Sequence, residues 1–351
     1  YGSETWANAA TNTEVAALRE AMTSASGLLN AFNISTAVYS QSFSTASKET
    51  TPNGFAFNND GTKMYVCGIS SSSVHEYALS TAFDISTASF TTTFSTASQS
   101  THPTGIAFKP DGTIMYVGEA YNSTVLQYAL STAFDISSAS YTHNFSVATQ
   151  EPNCYGVAIN TNGTKLFVTG SSSDAINEYA LSTAFDVSSA TYTQNFSVSA
   201  QEANPQDFVF NSDGTKMWIT GNAQVVYAYT LTTGFDVSTA SYASVTFAVS
   251  TQDNAPKALA FNDDGSKMYV LGDQNDSVYE YTVGSTDYIN QMTSTELNAI
   301  NDASQITLGT ALDLATIIYY ASGSSTPTYS GTAINYDANV INQGAILGTD
   351  Y

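Results

Sequence analysis

Apolar and polar positions along this chain recur with a period of 51 residues. Each period holds two short apolar runs separated by an Asp-Gly or Asn-Gly pair, at Asp60-Gly61, Asp111-Gly112, Asn162-Gly163, Asp213-Gly214 and Asp264-Gly265. Such a pair between apolar runs predicts a tight hairpin turn, because glycine supplies the positive φ that the turn requires. In the run before the turn, large residues flank a small one: Phe55 and Phe57 around Ala56, Ile106 and Phe108 around Ala107, Val157 and Ile159 around Ala158. A strand apolar on both faces is predicted to lie innermost, with its small residue on the crowded side. The run after the turn, residues 63–66 in the first copy, carries Met64, Met115, Leu166, Met217 and Met268 as core fillers. A third run sets Tyr77, Tyr128, Tyr179, Tyr229 and Tyr281 two positions ahead of Leu79, Leu130, Leu181, Leu231 and Val283, ladders that read as packing between repeats. A linker of the form STAFDIS follows, its Asp84, Asp135, Asp186 and Asp236 (Asn33 in the first copy) read as turn caps. A last strand, such as residues 141–147, completes the unit.

One small sheet cannot bury both faces unless a neighbour stacks on each, so units at 31–81, 82–132, 133–183, 184–233 and 234–283 predict an all-β, five-bladed β-propeller of 51-residue repeats. In each unit the last strand of the blade comes first in the chain. The strand at 38–44 therefore lacks a partner in its own unit and is expected to pair with 277–283, closing the ring. Around the propeller at 31–283 lie two short mixed flanks. Residues 1–30 hold a helical pattern at Val15, Leu18 and Met22; residues 284–351 open on a capping box from Thr293 to Glu296 and turn to strand-like alternation after Tyr329. Neither flank suffices for a large core, so both are expected to pack on each other or on other subunits, giving a homo-oligomer with an assembly or attachment function in the flanks.

Composition narrows the partners. Eight Lys and Arg stand against 30 Asp and Glu, a formal charge of −22, which repels nucleic-acid phosphates and anionic membranes. There is no apolar run of about 18 residues, so no membrane insertion is expected. Cys67 and Cys154 fall in repeats that are not neighbours, and no disulfide between them is expected. His75, His102 and His143 occupy non-equivalent positions, and no phosphate loop or nucleophile elbow occurs. No metal or cofactor is expected, and the chain reads as a non-enzyme. Glycoside hydrolysis would need two converging carboxylates; Glu119, Asp207 and Asp273 are the available acids, but near-identical blades give no divergent catalytic one.

Candidate binding residues sit in two loop sets expected to share one face of the ring. The first joins each last strand to the next inner strand and reads Lys48-Glu49, Gln99-Ser100, Gln150-Glu151, Gln201-Glu202 and Gln252-Asp253. Two readings are open for it: a rim of amides and carboxylates for sugar hydroxyls or a cation, or caps for the loops' own backbone donors. The second loop set varies between copies, and with it His102, Tyr121, Asn122, Tyr155, Asn204, Gln206, Asp273 and Asn275 become candidates for ligand contact.

The units FNNDGTKMYVCGISSSSVHEYALSTAFDISTASF and FNDDGSKMYVLGDQNDSVYEYTVG resemble propeller repeats of marine bacteriophage structural proteins and of some secreted bacterial proteins. The tail AINYDANVINQGAILGTDY is similar to segments of phage fibre and virion-appendage proteins. This resemblance implies an oligomeric tail-fibre or virion-surface protein, extracellular, displaying propellers towards a host-cell glycan or receptor. A virion spacer without ligand, and a secreted bacterial propeller that binds or hydrolyses glycans, are the alternatives. The match is to scaffold positions, so it transfers no catalytic residue.

Overall fold

The five turns form as their residues demand. Gly112 takes φ +72°, and Asp111 Oδ1 accepts from the Thr113 amide at 3.0 Å and its hydroxyl at 2.6 Å. The computed structural model of the chain describes residues 31–284. The helical pattern, capping box and strand-like tail expected in the flanks lie outside those residues.

Five four-stranded antiparallel sheets follow from the five turns. Their innermost strands are β2 (Pro52–Phe57), β6 (Pro103–Phe108), β10 (Cys154–Ile159), β14 (Pro205–Phe210) and β18 (Pro256–Phe261). The second strands are β3 (Lys63–Gly68), β7 (Ile114–Glu119), β11 (Lys165–Gly170), β15 (Lys216–Gly221) and β19 (Lys267–Gly272). The third are β4 (Ser73–Leu79), β8 (Thr124–Leu130), β12 (Ala175–Leu181), β16 (Val225–Leu231) and β20 (Ser277–Thr282). Outermost run β5 (Ala88–Ser95), β9 (Ala139–Ser146), β13 (Ala190–Ser197) and β17 (Ala240–Ala248). The fifth blade has no outer strand of its own, and β1 (Val38–Ser44) fills the place, paired along its length from Val38 opposite Thr282 to Ser44 opposite Ser277. Each inner strand packs on the next, β18 returning to β2, so the circle is closed.

Burial between blades drives this arrangement. Phe55 packs into the cluster that holds Tyr269 and Leu271 of the fifth blade, while Ala56, on the opposite face, meets Tyr65 and Met115 at the second. Met64, Met115, Leu166, Met217 and Met268 are fully buried, as are the third-strand tyrosines.

A joint that sequence reasoning missed locks each pair of blades. The linker phenylalanines Phe32, Phe83, Phe134, Phe185 and Phe235 all take positive φ, between 57° and 64°, an unfavourable region for a bulky side chain. The ring of each covers the turn glycine of its own blade. A Cβ at Gly112 would run into the Phe134 ring, and one at Gly265 into that of Phe32. The inverted carbonyl is taken by the preceding blade: Phe134 O accepts from Lys63 Nζ at 2.8 Å and from the Tyr65 hydroxyl at 2.6 Å, and Phe83 O from Lys267 Nζ and Tyr269 in the same way. Where the fourth blade has Trp218 instead of tyrosine, the indole stacks on Phe32, with centroids 5.2 Å apart. These donors thus compensate the backbone strain. The linker aspartates cap as expected, Asp135 accepting from the Ser137 amide at 3.0 Å.

Gly112→Ala combines a left-handed alanine with overpacking against Phe134 and is expected to lower stability by about 2–4 kcal/mol. Urea denaturation measures this, and a loss within about 0.5 kcal/mol, the range of neutral surface changes, would refute the joint.

Candidate functional site

The loops entering the inner strands and those joining second to third strands lie together on one face. Backbone bonds tie them, such as Thr96 N to Ser72 O at 2.9 Å and Val147 N to Ser123 O at 2.8 Å. On this face the acids of the first loop set turn inward. Glu49, Glu151, Glu202 and Asp253 are buried, and each carboxylate gathers amides from its own loop and from the facing one. Glu151 accepts from Asn153 N at 2.9 Å, and from Ser172 N and Ser173 N at 3.1 Å. Asp253 accepts from Ala255 N at 2.7 Å and Asn275 N at 3.1 Å. Capping is therefore their role, and they do not line an exposed rim, because the loop amides would otherwise be buried without acceptors.

The number of donors sets the direction in which these two carboxyls shift. Burial by itself pushes the Glu49 carboxyl up, but His75, the Ser70 and Ser71 hydroxyls and the Thr51 amide outweigh it and hold Glu49 down at about 2. Glu202 has two backbone donors, Asn204 N and Ala223 N, each at 2.9 Å, and there burial wins, leaving the carboxyl above its ordinary range.

The second blade replaces the acid with Ser100 and supplies the carboxylate from the other strand. Glu119 stands where the other blades have Gly68, Gly170, Gly221 and Gly272, and is itself buried. Its Oε1 accepts from Tyr121 N at 3.0 Å, and its other oxygen from Asn122 N. In the other blades a Cβ at the glycine would collide with the acid, Glu49 against Gly68 and Glu151 against Gly170. The two positions thus exchange one carboxylate, which removes Glu119 from the catalytic candidates.

The glutamines brace the tyrosine ladder in three blades: Gln150 Oε1 accepts from Tyr179, Gln201 from Tyr229 at 3.2 Å and Gln252 from Tyr281 at 3.3 Å. Gln99 makes no such bond among the described residues, and the Tyr128 hydroxyl is left without a partner there. Asn275 is drawn into the same bracing, its amide donating to Gln252 O at 3.1 Å. The Asn204 backbone amide is held by Glu202.

In the first blade Ser71, His75 and Glu49 come together as in a hydrolase, but the arrangement is not a relay. Ser71 Oγ lies 2.9 Å from His75 Nε2 and also donates to Glu49, so hydroxyl and carboxylate share one side of the ring, while Nδ1 faces Thr93 Oγ1 at 2.9 Å. A catalytic carboxylate must hold the ring nitrogen opposite the nucleophile.

At the axis lies the arrangement that the repeat leaves free. Each inner strand bulges next to its proline, against the second strand, between Pro52 and Gly54, Pro103 and Ile106, Cys154 and Val157, Pro205 and Asp207, and Pro256 and Ala258. A bulge re-aims a side chain. The residues at the bulges are Asn53, Thr104, Tyr155, Gln206 and Lys257, five different side chains at one position of a near-invariant repeat. Asn53 and Thr104 are tied back, to Thr51 O and Cys154 O at 2.8 Å. Lys257 Nζ reaches Gln206 Oε1 of the neighbouring blade at 3.4 Å. Asp273 is half-buried nearby, burial raising its carboxyl and Lys257 partly opposing that. Of the candidates, Gln206 and Asp273 are linked through Lys257, and Tyr155 occupies the equivalent bulge of the third blade; Asn53, Thr104 and Lys257 escaped sequence reasoning, although their variation at a fixed repeat position was a usable signal.

Asp207 adds a half-buried acid where other blades have Gly54, Gly105, Gly156 and Ala258. Burial pushes its carboxyl up to about 7, against hydrogen bonds from the Leu259 amide, 2.9 Å away, and the Phe208 amide. Tyr121, by contrast, projects from the second blade with 78% of its surface exposed, stacked on His102 with ring centroids 5.7 Å apart and planes 22° apart. Asn122 is exposed beside it. Cys67 and Cys154 are buried free thiols. Among the described residues no group of three His, Cys, Asp or Glu is placed to hold a metal, and no helix is long and apolar enough to cross a membrane.

No family model matches the chain, and no curated protein matches it. Among solved structures it is similar to a functionally unknown protein from Desulfotomaculum acetoxidans, at 13% identity and TM-score 0.41, over 63% of this chain and 62% of that one. It is also similar to a provisionally assigned 6-phosphogluconolactonase from Bacteroides uniformis, at 15% identity and TM-score 0.40, over 62% of this chain and 63% of that one.

Two outcomes follow from these acids. Glu119→Gly strips the Tyr121 and Asn122 amides of their acceptor, and Ser100→Glu puts two carboxylates in one buried place. Each is expected to cost about 1–3 kcal/mol, and the double variant is expected to recover most of the loss; strict additivity in a double-mutant cycle would refute the exchange. For Asp207, the unfolded chain releases its proton near pH 4 while the folded chain keeps it to about 7. The stability tied to this group is therefore present below pH 4 and lost as pH rises to 7, by roughly 1–3 kcal/mol. Urea midpoints between pH 4 and 8 should show this slope flattened in Asp207→Asn; an unchanged slope would count against it.

Proposed function

We propose that this chain is a binding propeller, an adhesion protein of a virion surface or tail fibre whose loop-rich face contacts a host-cell glycan. The observation that carries the reading is the set of five different polar or aromatic side chains at one bulged position around the axis of an otherwise uniform ring. Uniform repeats hold the scaffold, and residues that escape the repeat are free for recognition. Asp207 supports it, since an acid next to Gln206 whose carboxyl is raised by partial burial lowers stability at neutral pH, as groups kept for a function commonly do. The viral setting rests on the sequence resemblance, with the flanks as mounts to other subunits and the homo-oligomer giving several equivalent faces.

Binding is favoured over hydrolysis by the hydrogen bonds that two of the acids already accept: Glu119 takes the Tyr121 and Asn122 amides, and Asp207 takes the Leu259 amide. Polyanionic ligands are disfavoured by the −22 charge.

The full-length chain on a glycan array is expected to bind a restricted set of glycans, and Gln206→Ala with Lys257→Ala to weaken that binding at least about tenfold with an unchanged circular dichroism spectrum. A wild-type chain that binds no glycan would point to the spacer reading instead.

A further inference from the structure

The loop between β7 and β8 differs from its four counterparts. It carries an aromatic residue, and its backbone is fixed from beneath by Glu119 through the Tyr121 and Asn122 amides, with Ala120 N bonded to His102 O at 3.2 Å. His102 supports the Tyr121 ring from below and is itself turned by Thr101 Oγ1, 2.9 Å from its Nδ1. Tyr121, at 78% exposure on a loop fixed by Glu119 and stacked on His102, is the most exposed large aromatic among the described residues, whereas the ladder tyrosines are buried. Preorganisation removes the ordering cost of binding.

An exposed aromatic face of this kind stacks either a nucleobase or the C–H face of a sugar ring. Stacked nucleobases come with phosphates and require a basic groove, whereas residues 99–102 and 120–123 contain no Lys or Arg and the chain carries −22. The negative π-face of tyrosine attracts the slightly positive C–H bonds of a pyranose. The Asn122 side chain, exposed beside the ring and without a hydrogen bond among the described residues, offers both a donor and an acceptor to the ring hydroxyls. We infer that Tyr121, stacked on His102 and flanked by Asn122, is a docking platform for one uncharged pyranose. The inference rests on the glycan-binding reading above and gives it a subsite distinct from the axial residues. The platform supplies stacking affinity and Asn122 the discrimination among hydroxyl configurations.

Saturation-transfer NMR on the full chain with the methyl glycosides of glucose, galactose and N-acetylglucosamine tests this, alongside the array. One of them is expected to show its strongest transfer at the C–H protons of a single ring face. Tyr121→Ala is expected to weaken array binding at least about fivefold, Tyr121→Phe to retain it and Asn122→Ala to broaden the set of glycans bound. Array binding by the wild type that survives Tyr121→Ala unchanged would overturn the platform and leave the adhesion reading standing. Absence of any wild-type glycan binding would overturn both. Preferential binding of single-stranded oligothymidylate would overturn the sugar assignment. Because Tyr121 is exposed, its replacement leaves the fold available for each measurement.

Discussion

The structure depends on a strained phenylalanine. In every linker the chain passes through a left-handed phenylalanine, which turns the ring down on the glycine of its own hairpin, and the carbonyls of Phe83, Phe134, Phe185 and Phe235 reach the blade before. A conformation that costs energy in isolation persists because neighbours satisfy what it exposes. Lys63 and Tyr65 take one such carbonyl, Lys267 and Tyr269 another, and Trp218 stacks on the ring of Phe32 where no tyrosine is present. The joint couples hairpin, linker and adjacent blade, so each sheet helps to specify the angle of the next. The five joints are mutually consistent only in a closed circle, and β1 completes that circle by supplying the strand the fifth blade lacks.

Buried charge follows the same logic of satisfaction. Lys63, Lys165 and Lys267 reach buried Glu76, Glu178 and Glu280 at 2.8–3.0 Å. In the second blade both members change, Ile114 standing with Gln127, whereas in the fourth Lys216 is kept and Ala228 replaces the acid. An unpaired buried carboxylate would be expensive, so the acid is kept only where its lysine is present, while the half-buried Lys216 remains without one. The exchange between Ser100 and Glu119 on the opposite face has the same cause. Internal copies of one motif thus serve as a record of which side chains must coexist.

Against this background, the loop-rich face is where satisfaction is incomplete. Lys257 has only a long contact to Gln206, Asp207 carries a carboxyl raised by burial, and Tyr121 leaves most of its ring in water. The bulges that aim the axial residues occur in all five inner strands, so the scaffold provides the positions and the individual blades provide the chemistry. The axial residues and the Tyr121 loop belong to the same face because the entering loops and the second-to-third loops are hydrogen-bonded together.

The sequence by itself determined the strands, the number of blades, the closing strand and the turns. These depend on the alternation of apolar residues and on glycine at a fixed offset, both local and copied five times. It also named Tyr155, Gln206 and Tyr121 among its candidates for ligand contact. Only the tertiary structure decided that Glu49, Glu151, Glu202 and Asp253 are buried caps, that Glu119 stands in for the acid missing at Ser100, and that Lys257 meets Gln206 across a blade boundary. A carboxylate in a loop reads the same whether it faces water or gathers amides from a neighbouring turn, and the difference lies in which backbone donors the folded chain brings to it.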